Sequence, residues 1–60
     1  MKYKEFHRFV QAEGWSVVRQ TGSHRIYEKS GHPRKLIIPY HSGEMPEPLR
    51  RSILREMGLK

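Results

Sequence analysis

The chain has no cysteine, which excludes a disulfide framework and any cysteine-ligated zinc. Aspartate is missing too, so the six acidic residues are all glutamates. They offer no arrangement for a serine–histidine–acid triad. Four histidines at separations of 17, 8 and 9 residues match no zinc spacing, and no pair lies i, i+4 on a predicted helix. The five glycines are scattered and no Gly-Lys-Ser sequence occurs, so a phosphate-binding P-loop is excluded. The longest aliphatic run, Leu36-Ile37-Ile38, is far too short for a signal-peptide core or a membrane span. A cytoplasmic protein without a small-molecule cofactor is expected.

What remains is short and basic. Sixty residues with 35% apolar side chains make one small domain, residues 1–60, that buries only about 60% of the surface its unfolded chain exposes. A pocket that enclosed a cofactor would consume most of such a core, so any chemistry belongs on a surface or shallow groove. Twelve Lys and Arg against six acids give a net charge of +6. Segments 1–13, 14–40, 41–46 and 47–60 carry +1, +4, −1 and +2; no basic tail exists and the folded body itself is basic. That points to a polyanion, most often nucleic acid. A membrane surface fits poorly, because neither predicted helix has apolar residues to spare from the core.

Between Lys2 and Glu13, Tyr3, Phe6, Phe9 and Val10 recur at helical spacing, and Gly14 stands where a left-handed residue closes a helix. Trp15 to Gln20 and His24 to Lys29 flank Thr21-Gly22-Ser23 as a hairpin. Ser30-Gly31-His32-Pro33 is a second turn, followed by a third strand from Arg34 to Ile38 that Pro39 halts. After the aperiodic segment Tyr40 to Glu47, Pro48 opens a helix to Met57 with Leu49, Ile53, Leu54 and Met57 inward. The order predicts an α+β fold, α-β-β-β-α, whose three-stranded antiparallel sheet carries both helices on one face, the layout of a double-stranded-RNA-binding-like module.

His7, at the edge of the first helix's stripe, and His32, beside Pro33, read as surface residues without a role. His24 follows Gly22-Ser23, which lets a phosphate approach closely, and shares strand parity with Ile26; with Ile26 inward, His24 stands half sheltered at a rim. Taken alone, a hairpin-end histidine that caps the sheet is the ordinary explanation. His41, just past the third strand, carries a weaker signal. Arg19, Arg25, Lys29, Arg34 and Lys35 decorate the hairpins, and Arg51 and Arg55 stand on the outer face of the second helix. Solvated charge explains any one of them; together with Trp15 and Tyr27 they suggest a surface that reads an RNA backbone and stacks a base, although Trp15, directly after the helix cap, fits the core better.

Gly14-Trp15, Val18-Arg19-Gln20-Thr21-Gly22-Ser23-His24, the Pro39 to His41 element and the ending Pro48-Leu49-Arg50-Arg51-Ser52-Ile53-Leu54-Arg55-Glu56-Met57-Gly58-Leu59 resemble the HicA toxins of bacterial type II toxin-antitoxin systems. The resemblance covers nearly the whole chain. It implies a double-stranded-RNA-binding-like fold, a ribonuclease that cuts mRNA and arrests translation, and neutralisation by a HicB-like antitoxin protein. The family's catalytic histidine, which follows Gly-Ser, corresponds to His24. Gly22, Ser23, Arg19, Arg25, Lys29, Lys35, Arg51 and Arg55 are then the candidate RNA-binding residues, with no metal. A non-catalytic RNA-binding module of the same fold and a small adaptor for an acidic protein remain as alternatives.

Overall fold

The computed structural model describes residues 1–59. A helix α1 (Tyr3–Ala12) leads into strands β1 (Ser16–Thr21), β2 (His24–Glu28) and β3 (Leu36–Pro39), and a second helix α2 (Glu47–Glu56) closes the order. The three strands form one antiparallel sheet in the order β1-β2-β3. Both helices cover one face of it, as the pattern predicts.

Helix α1 begins where the Glu5 carboxylate accepts the backbone N–H of Lys2 at 2.8 Å, half of a capping box. It ends in a Schellman arrangement: Gly14, at φ +98°, lets its own N–H reach the Gln11 carbonyl and the Trp15 N–H reach that of Val10. This reversal turns Trp15 into the core, where it is 3% exposed. The buried stripe of α1 is Tyr3, Phe6, His7 and Val10. These pack with Tyr27, Leu36, Ile38, Met45, Ile53 and Met57 between helices and sheet. In α2, Glu47 in the first turn pairs with Arg50 and lies 3.8 Å from Arg51, while Ile53 and, just past the helix end, Met57 face inward. Among the described residues no helix is long and apolar enough to cross a membrane.

Three readings of the sequence need correction. His7 is 2% exposed, a member of the core stripe and not a surface residue. The inward residue of β2 is Tyr27, which is fully buried, and not Ile26; since neighbours alternate, Ile26 and His24 therefore face away from the helices. These two corrections share one cause. A tyrosine can occupy a dry core only if its hydroxyl is satisfied, and His7 satisfies it at 2.6 Å. Lastly, Pro39 ends β3 from within the ladder, opposite His24. Edge position makes this possible, because the missing donor costs no interior ladder bond.

Candidate active site

Thr21 and His24 lie directly opposite each other, so Gly22-Ser23 is a two-residue hairpin loop. Gly22 has φ +58° and Ser23 a negative φ, the combination of a type II′ turn, in which the first central residue is glycine. A Cβ on Gly22 would meet nothing within 4 Å. The need for glycine there is conformational and leaves open space above the turn.

His24 is exposed and belongs to the uncovered face. The half-sheltered rim expected from the sequence is absent, because that expectation rested on Ile26 pointing inward. Register places Thr21 beside His24, and Arg19 and Ile37 on either side of Ile26. All five side chains share this face, where Ile37 is 62% exposed. A bulge at Val18, between the pairs Val17↔Tyr27 and Arg19↔Ile26, shifts parity in β1 and turns Arg19 to the His24 side. The Arg19 Nε then donates to the Thr21 hydroxyl at 3.4 Å, which holds its guanidinium toward the turn.

Behind the turn stands a buried network. The Pro39 carbonyl can only accept, so His7 Nε2 carries the proton and donates to it at 2.8 Å; in the neutral ring Nδ1 then accepts from the Tyr27 hydroxyl. The same Pro39–Tyr40 peptide offers its N–H to the Ser23 carbonyl. One peptide plane thus ties α1 to the His24 turn. The His7 ring also stacks on Tyr40 at 4.6 Å, and the Arg25 guanidinium lies 4.3 Å from the centre of the Tyr40 ring. Burial pushes the His7 imidazole below its ordinary pKa; the bond to Pro39 opposes this and the charge on Arg25 adds to it. His7 is therefore the neutral, orienting histidine of the assembly. Sequence reading missed it, although its i+4 spacing from Tyr3 and i−3 spacing from Val10 was the available signal.

The basic residues do not gather at one point. Arg19 and Arg25 flank the turn on opposite faces, and Arg25 Nε donates to Gln20 at 3.1 Å. Lys29 and Lys35 lie at the far end of the sheet, on the order of 15 Å from His24 by strand rise; Lys29 leans on Trp15, its Nζ 5.9 Å from the ring centre. Arg51 and Arg55 line a groove of about 460 Å³ on the helical layer with Arg50 and Leu54, away from the uncovered sheet face. Tyr27 and Trp15 are both buried, so neither stacks a base. His41 is exposed and packs edge-on against Tyr3 at 5.3 Å. His32 bridges the second turn to the end of α2 through the Glu56 carbonyl at 3.1 Å and meets Trp15 at 4.7 Å, a structural tether. Among the described residues no three His or Glu side chains converge in a way that could hold a metal ion.

An α-β-β-β-α module with a glycine-opened hairpin presenting a histidine is what the fold and turn define. The family model for the HicA toxin of bacterial toxin-antitoxin systems matches residues 3–59. A protein of Pseudomonas fluorescens (strain Pf0-1) named "Probable mRNA interferase HicA" is 41% identical over 61 residues, covering 100% of this chain and 98% of its own. The "Probable mRNA interferase toxin HicA" of Escherichia coli (strain K12) is 37% identical over 60 residues, 98% of each chain. A third, "Probable mRNA interferase HicA 1" of Photorhabdus laumondii, is 35% identical over 98% of this chain and 100% of its own. The chain belongs to the HicA toxin family.

Proposed function

We propose that the chain is the toxin of a type II toxin-antitoxin pair, an endoribonuclease that cuts mRNA in the cytoplasm and arrests translation, with His24 as general base. The observation that carries this is the exposed imidazole of His24 at the Gly22-Ser23 turn, on one face with Thr21 and the tethered Arg19.

RNA brings its own nucleophile, so the protein has three tasks. It must take the 2′-OH proton, stabilise charge on the phosphorane and see the leaving 5′-oxygen protonated. An imidazole can accept a proton near neutral pH. As His24 takes the proton, the 2′-oxygen attacks phosphorus and the bond from phosphorus to the 5′-oxygen breaks. Gly22 leaves room for the phosphate, and the Ser23 hydroxyl or backbone N–H can donate to it. Arg19 is the cation best placed to neutralise the phosphorane; Arg25, on the opposite face over Tyr40, holds a neighbouring phosphate. Lys29, Lys35, Arg51 and Arg55, remote from the turn, hold phosphates further along the RNA and position it without reading sequence. His41 or water supplies the proton to the 5′-oxygen, and no step calls on a metal.

An acidic HicB-like antitoxin is the fitting partner for a body of charge +6. Docking over the hairpin would steer association and block the substrate together. It would also stabilise a marginal fold by mass action. The test is the chemistry of the cut ends. Purified chain with RNA in EDTA should leave a 2′,3′-cyclic phosphate and a 5′-hydroxyl, and saturating antitoxin should stop it. A requirement for divalent metal, or undiminished cutting by the saturated complex, contradicts the respective part of the proposal.

A further inference from the structure

Next to the turn, Lys2, Lys4, Tyr40, His41, Ser42 and Gly43 line a groove of about 320 Å³. It adjoins the site through the backbone. Pro39 is the strand partner of His24, and the following residue, Tyr40, donates its N–H to the Ser23 carbonyl. Strand geometry therefore puts the Tyr40 Cα roughly 6 Å from that of His24, with the Tyr40 ring turned to the helical side against His7 and Arg25, so RNA passes from His24 over the hairpin edge into the groove. The groove is also held in shape. Its floor is fixed where the Gly43 carbonyl accepts the Tyr3 N–H at 3.1 Å, and one wall where the His41 ring meets Tyr3. Tyr40 is gripped by His7 and Arg25. Of the neighbouring acids, Glu5 is turned back to the Lys2 backbone N–H and Glu44 pairs with the terminal ammonium of Met1 at 3.1 Å.

We infer that this groove is a phosphodiester subsite, taking the nucleotide that flanks the scissile bond; the inference rests on the RNA-cleaving reading of His24. Two exposed lysines and the hydroxyls of Tyr40 and Ser42 in a shallow, half-polar groove match a phosphate and its ribose. The six lining residues bring two lysines and no carboxylate, so the groove complements an anion. The volume lies at the small end of ligand sites, enough for one nucleotide and no more. Lys2 and Lys4 supply the charge, and Tyr40, flanked by Arg25, offers its edge to the sugar or base. Nothing in the local sequence joins these residues, because the fold brings position 4 beside position 40.

The test uses a 2′-O-methyl RNA oligonucleotide, which lacks the nucleophile and cannot be cut, so binding is read apart from cleavage. Affinity is measured from 0.05 to 0.3 M salt for the wild-type chain and for the Lys2→Gln/Lys4→Gln double variant. Loss of two single-strand phosphate contacts should lower the log–log salt slope by about 1.4 and weaken binding roughly 25-fold at 0.1 M salt. Cleavage of unmodified RNA at sub-saturating concentration should fall by the same factor. An unchanged slope and affinity, in a variant whose thermal melt matches wild type, would overturn the subsite. Loss of binding to an acidic antitoxin with RNA binding intact would also overturn it, since the groove would then serve a protein. A wild-type chain that binds this RNA through Lys2 and Lys4 but cuts no RNA refutes the nuclease reading and leaves the groove as a phosphodiester site with no scissile bond to flank. One that binds no RNA refutes both.

Discussion

Replacing His7 with leucine removes a side chain of similar size that satisfies two polar groups at once. The Tyr27 hydroxyl at 2.6 Å and the Pro39 carbonyl at 2.8 Å both lose their partner, in a site where His7 is only 2% exposed. A buried polar group left unpaired costs about 1–3 kcal/mol, so the variant should lose about 2–6 kcal/mol. A chain of this length is stable by only about 3–9 kcal/mol in total, and each kcal/mol moves the melting point about 4–8 °C. The melting temperature of His7→Leu should therefore fall by at least about 8 °C. Urea unfolding followed by circular dichroism at pH 7.5 measures the free energy directly. Two companions separate hydrogen bonding from packing. His7→Gln keeps one donor and one acceptor and should recover part of the loss. In a Tyr27→Phe background, His7→Leu should cost about 1 kcal/mol less than in wild type, because one of its partners is already gone. A loss below about 0.5 kcal/mol, the figure for an ordinary surface site, or strict additivity of the two changes, would refute the network.

Because burial depresses the His7 pKa in the folded chain, the unfolded chain binds more protons as the medium is acidified. The His7 contribution is complete above the unfolded pKa of about 6.5 and is lost as pH falls through the lower folded value; urea titrations at stepped pH should show this slope in wild type and not in His7→Gln. At the hairpin, Gly22→Ala should cost about 1 kcal/mol because φ is +58°, whereas D-alanine, introduced by chemical synthesis, should cost nothing, since a Cβ meets open space; equal melting curves for the two would contradict the turn assignment. Arg19→Gln should slow single-turnover cleavage at saturating RNA by about 100-fold, the scale of one lost charge-stabilising donor. Lys35→Gln, at the far end of the sheet, should raise only the RNA concentration needed; equal effects on both constants would remove Arg19 from the reacting phosphate.

The element order was legible because each boundary is written locally. Gly14 closes α1, Gly22-Ser23 turns the hairpin and Pro48 starts α2, each by a backbone preference that needs no distant partner. Which face of β2 is buried was not legible. Ile26 and Tyr27 are both plausible inward residues, and the choice falls to Tyr27 because a histidine twenty positions earlier takes its hydroxyl. His7 was misread for the same reason, as an imidazole in an apolar stripe looks peripheral until its two partners are known. The turn before His24 could be picked out by its residue types. The placement of Arg19 beside it depends on the Val18 bulge, an irregularity that no spacing rule announces. Likewise the groove joins Lys2 and Lys4 to Tyr40 and His41 through tertiary contact alone.

The role of His24 is tested most directly by the single-turnover cleavage rate of His24→Ala on an RNA that the wild-type chain cuts. The side chain is exposed and outside the core, so the variant should match wild type in its circular dichroism spectrum, its melting temperature and its binding of uncleavable RNA. Its cleavage rate should fall by at least about 100-fold, the contribution typical of a positioned general base. Cleavage by folded His24→Ala at a rate near that of wild type would contradict the account.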